Sequence, residues 1–249
     1  MRIFLVTGIG KKDSLANIIC KKIQEDNADV RIIGVAYNHG EKPDVSQLDK
    51  LLFADLSSVT EIKELAASAR GVYGAIHCII NCAGLSYLSW INDSNVNKFD
   101  ELMNVNAKAM YVLTKELLND LTITKGTVLN MVSNASHVPM RCSTAYNASK
   151  AAAKMITEQM ARELTYQNQI TIFSISPNKL KGTGMTKIVD KEVQKVRGWS
   201  EKEARDNQNA ALLTGEQTDP KILAEFISFL LSKKERHFYL SGCDIPYGV

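Results

Sequence analysis

The sequence predicts an α/β protein built on a doubly wound parallel sheet, and two observations predict it. Short apolar segments alternate with longer segments of helical periodicity along most of the 249 residues. The apolar segments show no clear polar alternation, which is typical of strands that are covered on both faces by helices. Right-handed crossovers between such strands produce the doubly wound sheet of a Rossmann fold.

The individual elements follow from this alternation. Predicted strands cover residues 2–7, 30–36, 51–54, 75–80, 127–133 and 170–175, and predicted helices cover 14–24, 58–69, 97–119 and 144–166. A last helix and strand follow near the end of the chain. No internal repeat or Pro/Gly/Ser-rich linker interrupts the pattern, so a single domain over residues 1–249 is predicted.

The segment from about 178 to 218 departs from this rhythm. It is polar and charged, and Gly182, Gly184 and Gly198 interrupt it. An insertion of this length before the last helix and strand is typical of a mobile lid made of short helices. We expect such a lid at about 184–215, which we call the lid segment; a surface excursion without a role is the alternative.

Composition excludes several classes of protein. The net charge is only +3 and the basic runs are short, which argues against a nucleic-acid partner. No stretch reaches the ~18 apolar residues of a membrane helix, and the N-terminus is typical of a buried strand and not of a signal peptide. A cytoplasmic location is therefore expected. Five scattered cysteines without a CxxC motif predict neither a disulfide framework nor a metal site.

The first turn of the predicted sheet, TGIGKKDSLA at residues 7–16, runs from a strand through glycines into a helix. A helix N-terminus offers unpaired N–H groups and partial positive charge, which suit a pyrophosphate. Gly8 permits the tight turn, and Ser14 stands where the helix begins. Because glycine often follows a strand, this pattern alone is weak.

Ser133, Tyr146 and Lys150 give the stronger indication of chemistry. Tyr146 and Lys150 are four residues apart on one predicted helix and therefore share a face. Ser133 ends a buried strand, at the edge of the sheet where doubly wound folds bind ligands. A neighbouring ammonium is expected to lower the pKa of the Tyr146 phenol from its usual value of ~10.

With these motifs in view, the chain resembles the short-chain dehydrogenases/reductases over almost its whole length. The likeness rests on Asp55, NCAG at 81–84, NVNAKA around Asn106, NMVS at 130–133, YNASK at 146–150, SPNKLKGTGM at 176–185 and FYLSGCDIPYG at 238–248. Ser133 precedes Tyr146 by thirteen residues, the usual separation in that family.

The resemblance implies an NAD(P)-dependent enzyme that reduces a ketone or oxidises an alcohol. It implies that Tyr146 exchanges the proton, that Lys150 tunes it and holds the nicotinamide ribose, that Ser133 orients the carbonyl and that Asn106 holds a water. The cofactor would meet Gly8, Ile9, Lys11, Lys12, Ser14, Leu15, Asp55, Leu56, Asn81, Ala83, Gly84, Tyr146, Lys150, Pro177, Leu180 and Thr183.

Two departures from the family pattern leave alternatives open. The first turn has Lys12 and Ser14 where the common loop has glycines, but it fits GxxxxxSxA, which is similar to the loop of enoyl-acyl-carrier-protein reductases. Those enzymes usually place the active Lys seven residues after Tyr, where this chain has Ala153. Asn178 stands where glycine is usual, and its tolerance of the left-handed conformation would preserve the turn. An enoyl reductase and a non-catalytic dinucleotide-binding regulatory protein are the rival readings.

The sequence also predicts cofactor choice. The second strand ends in Val35 and Ala36, and no acid follows until Glu41. The carboxylate that normally repels a 2′-phosphate is therefore missing, and Lys11 and Lys12 in the first turn favour that phosphate. NADP is expected in preference to NAD.

Substrate and assembly are predicted only in outline. A small-molecule carbonyl or alcohol is expected, with specificity in residues 85–97 and 184–215; Trp90 and Trp199 either line its pocket or serve as packing. A homo-oligomer, tetramer or dimer, is expected from the resemblance and from common symmetry. Its contacts would come from Met103, Ala107, Met110 and Met160 on the helices at 97–119 and 144–166.

Overall fold

Parallel strands at the centre of the molecule set the position of every other element. The computed structural model describes residues 1–38 and 42–248. Within them the strands are β1 (Arg2–Ile9), β2 (Val30–Ala36), β3 (Lys50–Phe53), β4 (Cys78–Asn81), β5 (Thr127–Met131), β6 (Thr171–Pro177) and β7 (Asp244–Tyr247). They form one sheet in the order β3-β2-β1-β4-β5-β6-β7, and each neighbouring pair is parallel. The predicted doubly wound parallel sheet is confirmed.

Helices cover both faces of this sheet. They are α1 (Leu15–Asp26), α2 (Val59–Tyr73), α3 (Val96–Met103), α4 (Ala109–Glu116), α5 (Leu118–Thr124), α6 (Thr144–Asn168), α7 (Gly184–Arg197), α8 (Glu201–Ala210) and α9 (Pro220–Ser232). Alternate residues of β1 enter opposite cores: Ile3 and Leu5 pack with α2, α4 and α6, whereas Phe4 and Val6 pack with α1 and α9. This alternation explains why β1 is apolar at nearly every position.

The predicted helix at 97–119 is wrong in its continuity. It is divided into α3, a π-helical turn at residues 104–108, and α4, and a break at Leu117 separates α4 from α5. Asn106 lies within this π turn and is fully buried, and π turns of this kind are frequent at functional sites. Before the break, the Thr114 hydroxyl donates to the Met110 carbonyl at 2.7 Å, a local bond that bends helices.

Most of the residues predicted for subunit contacts belong to the core of one chain. Ala107, Met110 and Met160 are buried against neighbouring elements of the same molecule, and Met103 is half-buried. The periodicity that suggested an external apolar stripe is that of helices packed on the sheet. Among the described residues, no helix is long and apolar enough to cross a lipid bilayer.

Candidate active site

A cavity of about 1640 Å³ runs along the carboxyl edge of the sheet, where the strand order reverses between β1 and β4. Ligands bind doubly wound folds at this point, because the loops from neighbouring strands separate there and leave a crevice. The loops that follow β1, β2, β3, β4, β5 and β6 all contribute to its walls, and α7 and α8 of the lid segment close one side.

The first turn is held in shape by Asn17, a residue that the sequence analysis missed. Its side-chain amide bonds both the N–H and the carbonyl of Gly10, each at 3.2 Å. Ser14 caps α1 by accepting from the Asn17 N–H at 3.3 Å, and no acid stands in the first turn of that helix. The polar residue three positions after a serine cap was the available indication. The result is an open, positively polarised helix N-terminus on the cavity wall.

Gly8 and the NCAG segment are in direct backbone contact. Gly8 has φ +86°, and a Cβ at this position would lie 2.7 Å from the Ala83 nitrogen. Thr7, also missed from sequence, accepts from the backbone N–H groups of Cys82 and Ala83 at 3.1 and 3.2 Å. The ends of β1 and β4 are thereby locked together beneath the cavity, and only glycine fits at position 8.

Tyr146 and Ser133 meet on the cavity wall, as predicted. Burial raises the pKa of the Tyr146 phenol, and interaction with the Ser133 side chain opposes that rise. The lowering that we expected from Lys150 is not found, because desolvation is the larger effect and Lys150 is itself desolvated. Tyr146 is therefore a neutral hydroxyl at physiological pH, able to donate a proton.

The segment after Ser133 is fastened on two sides. The Asn147 side-chain amide donates to the carbonyls of Ala135 and Val138, both at 2.7 Å, and so ties the segment to α6. On the other side, His137 Nε2 lies 2.6 Å from the buried carboxylate of Asp244 on β7. These contacts fix the backbone that carries the serine relative to the helix that carries the tyrosine.

Lys150 is a buried ammonium without an anionic partner among the described residues. Its Nζ donates to the Met131 carbonyl at 3.0 Å and lies 6.0 Å from the centre of the Tyr146 ring. Burial lowers the pKa of Lys150 to about 8. The thiol of Cys82 also faces it, but burial raises the pKa of that thiol to about 12, so it stays protonated. This lysine can lose its proton near neutral pH.

Asn106 lies beneath the cavity and not on its wall. Its amide oxygen accepts from the Leu85 N–H at 2.8 Å, while its nitrogen donates to the Leu85 carbonyl and the Ser149 hydroxyl, each at 3.0 Å. These bonds hold the segment at residues 84–85, which follows β4, against α6. The contacts make Asn106 a positioning residue; the water-holding role implied by the resemblance stays a prediction.

The cavity brings together most of the predicted cofactor residues. Those that line it are Gly8, Ile9, Lys11, Ser14, Leu15, Asp55, Leu56, Ala83, Gly84, Tyr146, Lys150, Pro177, Leu180 and Thr183. Lys12 and Asn81 are not among them. Lys12 is exposed and faces Asp44, whereas Asn81 donates to Asn130 inside the sheet at 2.8 Å.

Two predictions from the sequence concern Asn178 and Glu41. Asn178 does not adopt the left-handed conformation that we expected, since only Lys125, Cys142 and Gln169 among the described non-glycine residues have positive φ. Instead its side chain accepts from the Thr218 hydroxyl at 2.6 Å, and this bond supports the turn. Glu41, the first acid after β2, lies outside the described residues.

The lid segment spans the end of the cavity beyond Tyr146. The Trp90 indole donates to the Val196 carbonyl at 3.0 Å, and the Arg197 guanidinium donates to the Arg141 carbonyl at 2.9 Å. These bonds join the end of α7 to the loops after β4 and β5. Trp90 and Trp199 both line this end, which agrees with the first of the two roles that we considered for them.

Comparison with known proteins agrees with this geometry. A family model described as short chain dehydrogenase matches residues 2–194. An uncharacterized oxidoreductase of Staphylococcus aureus is 30% identical over 182 residues, 71% of this chain and 77% of that protein. One from Staphylococcus epidermidis is 28% identical over 186 residues, 73% of this chain and 79% of that protein.

Solved structures share the fold. A short chain dehydrogenase family protein from Francisella tularensis superposes with a TM-score of 0.85 at 22% identity, over 99% of this chain and 96% of that one. A variant of actinorhodin polyketide ketoreductase, solved with NADPH, gives a TM-score of 0.87 at 20% identity, with the same coverage of 99% and 96%.

Proposed function

Because this chain belongs to the short-chain dehydrogenase family, we propose that it is an NAD(P)-dependent oxidoreductase that interconverts a ketone and a secondary alcohol. The observation that carries the proposal is the group formed by Ser133, Tyr146 and Lys150 on one wall of the cavity. A hydroxyl donor, a phenol and a buried amine are what protonation of a carbonyl oxygen requires.

The chain's own residues fit a dinucleotide. The open N-terminus of α1 suits the pyrophosphate, and Gly8 allows the first turn to pack directly on the backbone after β4. A Cβ on Gly84 would stand 3.6 Å from Lys150 Nζ and narrow the approach to the reacting centre. Lys150 would hold the nicotinamide ribose, and Pro177, Leu180 and Thr183 would flank the ring. When bound, the nicotinamide supplies or accepts a hydride.

Residues of the protein then supply the proton to the carbonyl oxygen. In the reducing direction Ser133 donates a hydrogen bond to the substrate carbonyl and polarises it, and the neutral Tyr146 transfers its proton to that oxygen as charge develops. The resulting phenolate is stabilised by the Lys150 ammonium until a proton from solvent restores it. In the oxidising direction the same groups run in reverse, with Tyr146 as the base.

The alternatives have less support. An enoyl reductase would need its lysine at position 153, where a wholly buried alanine packs against the core. A non-catalytic binding protein could use Lys150 to hold the ribose, but it would have no use for a phenol and a serine hydroxyl placed together beside that lysine on the cavity wall.

The proposal is tested by offering the protein a panel of ketones and secondary alcohols with each of the four nicotinamide cofactors. Absorbance of the reduced cofactor reports turnover. We expect reduction of at least one ketone class with a bell-shaped or falling dependence on pH at the alkaline end. Saturable cofactor binding with no turnover of any ketone, alcohol or enone would support the regulatory reading instead.

We propose NADP(H) as the preferred cofactor. Lys11 in the first turn and Tyr37, which follows β2, both line the cavity, and a 2′-phosphate would lie beside the loop after β2. A lysine about 4 Å from a phosphate gains ~4 kcal/mol at an effective dielectric of 20 before desolvation, and a quarter of this gives roughly fivefold preference. Lys11→Ala should weaken NADPH about fivefold and leave NADH unchanged. Lys12→Ala, on a neighbouring residue outside the cavity, is the control; tighter binding of NADH than NADPH by the unaltered protein would refute the prediction.

We also propose a homo-oligomer, with contacts different from those predicted from sequence. The exposed apolar side chains on α3, α4 and α6 include Phe99, Tyr111 and Met155, which lie within these helices and away from their ends. Light scattering at micromolar concentration should give the mass of a dimer or tetramer, and Tyr111→Glu with Met155→Glu should lower it. Tyr166→Glu, on a more exposed ring at the end of α6, should not. A monomeric mass for the unaltered chain would contradict the proposal.

A further inference from the structure

Buried donors without partners stand at the lid end of the cavity. Among the described residues, the Oγ of Ser143, the Nε of Arg197 and the Nε2 of Gln208 are excluded from solvent and make no hydrogen bond. All three residues line the cavity. Buried polar atoms are normally paired, because an unpaired one loses its hydration without compensation. Donors of this kind on the wall of a binding cavity indicate a polar group of the ligand.

Arg197 adds a charge to these donors. Its guanidinium has no carboxylate within ion-pair distance in the described parts of the chain; its contacts are the Arg141 carbonyl and the ring of Trp199, whose centre lies 4.8 Å from Cζ. A carbonyl and an aromatic face orient the guanidinium but do not neutralise it. A planar, fixed guanidinium suits a carboxylate, which it can bind through two parallel hydrogen bonds.

The acidic residues of the cavity do not supply the missing anion. Each is occupied elsewhere: Asp13 pairs with Lys187 at 2.6 Å, Glu101 pairs with Lys98 at 2.5 Å, and Asp55 accepts from the Ser57 N–H at 2.8 Å. The second cation at this end, Arg141, has no ion pair among the described residues either. The lid end is therefore electropositive and lacks a counter-charge of its own.

Much of the cavity wall is apolar. Its apolar lining residues include Leu85, Leu88, Met140, Met185, Val189 and Val193. A ligand that reaches from the phenol to the guanidinium must present hydrocarbon in between, because these walls offer it no hydrogen bonds.

We propose, on the basis of the function proposed above, that the substrate is an apolar ketone or alcohol that bears a carboxylate at its far end. Arg197 binds that carboxylate through the Nη groups of its guanidinium. A small shift of the lid segment onto the ligand would let Nε of Arg197 and the donors of Ser143 and Gln208 form hydrogen bonds as well.

Binding can be measured apart from catalysis, because the only two tryptophans of the chain, Trp90 and Trp199, both line this end. Their fluorescence is followed while straight-chain carboxylates, and primary amides of the same length, are titrated into the protein with oxidised cofactor bound. The carboxylates should bind about ten- to a hundredfold more tightly, the range of a charge-assisted hydrogen bond. Equal affinity of acids and amides would overturn the proposal.

Three variants identify the residue responsible. Arg197→Met should remove the difference in affinity between carboxylates and amides, and Arg197→Lys should keep part of that difference. Lys195→Met, on an exposed residue at the same end of the helix, should leave both affinities unchanged. A loss of equal size for acids and amides in Arg197→Met would mean that the arginine only fastens the lid segment, against the proposal. If Arg197→Met does not fold, the ratio of carboxylate to amide affinity in Arg197→Lys and in the unaltered protein still tests the proposal.

Kinetics separates this inference from the proposed function. Methyl ketones with a terminal carboxylate are compared with methyl ketones of the same chain length that end in methyl. A higher kcat/KM for the acids, caused by a lower KM, supports the proposal. If both sets of ketones are turned over without preference, the proposed oxidoreductase function stands and the proposed carboxylate site is wrong. If neither set is turned over but acids still bind in an Arg197-dependent way, the proposed oxidoreductase function is wrong and the carboxylate site stands.

Discussion

Tyr146→Phe should lower kcat by at least about 10²–10⁴-fold, the usual contribution of a general acid or base. The variant loses only the hydroxyl that donates the proton, and its ring still packs against the cavity wall. Cofactor affinity should change little, because the ring and Lys150 remain. Steady-state kinetics on the best ketone of the panel, together with titration of the reduced cofactor, measures both quantities.

A matched control removes a phenol hydroxyl from the same cavity. Tyr87 also lines it, and its hydroxyl accepts from the Asn95 N–H at 3.0 Å. Tyr87→Phe should retain activity within a few-fold of the unaltered protein. Comparable losses in the two variants would show that the cavity responds to any lost hydroxyl, and the role assigned to Tyr146 would be wrong.

Lys150→Met should abolish most activity and at the same time stabilise the protein without cofactor at neutral pH. The pKa of Lys150 is lowered from 10.5 to about 8 by burial, a shift that corresponds to about 3 kcal/mol of destabilisation while the amine is charged. Loss of its bond to the Met131 carbonyl returns about 1 kcal/mol, so a net gain of about 2 kcal/mol is expected. Such opposition of stability and activity is common at active sites.

The pH dependence of that gain has a definite sign. Below pH 8 the amine is protonated in the folded and the unfolded chain, and the folded state bears the full cost of the buried charge. Between about pH 8 and 10.5 the folded protein has released the proton while the unfolded chain still holds it, so the unaltered protein gains stability as pH rises. The difference in Tm between the variant and the unaltered protein should therefore be largest near pH 7 and shrink toward pH 10. A Tm difference that stays constant from pH 7 to pH 10 would contradict the conclusion that the buried Lys150 charge destabilises the folded protein.

The grouping of Ser133, Tyr146 and Lys150 could be predicted because it depends on the position of each residue within its own helix or strand. Four residues on a helix put Tyr146 and Lys150 on one face, and the end of a buried strand puts Ser133 at the sheet edge, whatever the rest of the fold does. The doubly wound parallel sheet followed in the same way from the alternation of strands and helices. Such features need only periodicity and the handedness of crossovers.

The features that the sequence did not reveal depend on packing at a distance. The structure places Lys11 on the cavity wall and leaves Lys12 outside it, and this difference between neighbouring lysines depends on how the whole first turn folds. The pKa of Tyr146 depends on how completely the surrounding loops exclude water. Arg197 lies far from Ser133 in sequence and reaches the cavity only because the lid segment folds over it.

One measurement tests the central claim most directly. The reduced cofactor is labelled with deuterium at the transferring position, and the alcohol formed from a panel ketone is analysed by mass spectrometry, with the unaltered protein and Tyr146→Phe at equal cofactor occupancy. The account predicts one deuterium on the carbinol carbon of the product made by the unaltered protein, and almost no product from the variant. Product without deuterium, or equal yields of labelled product from both proteins, would contradict it.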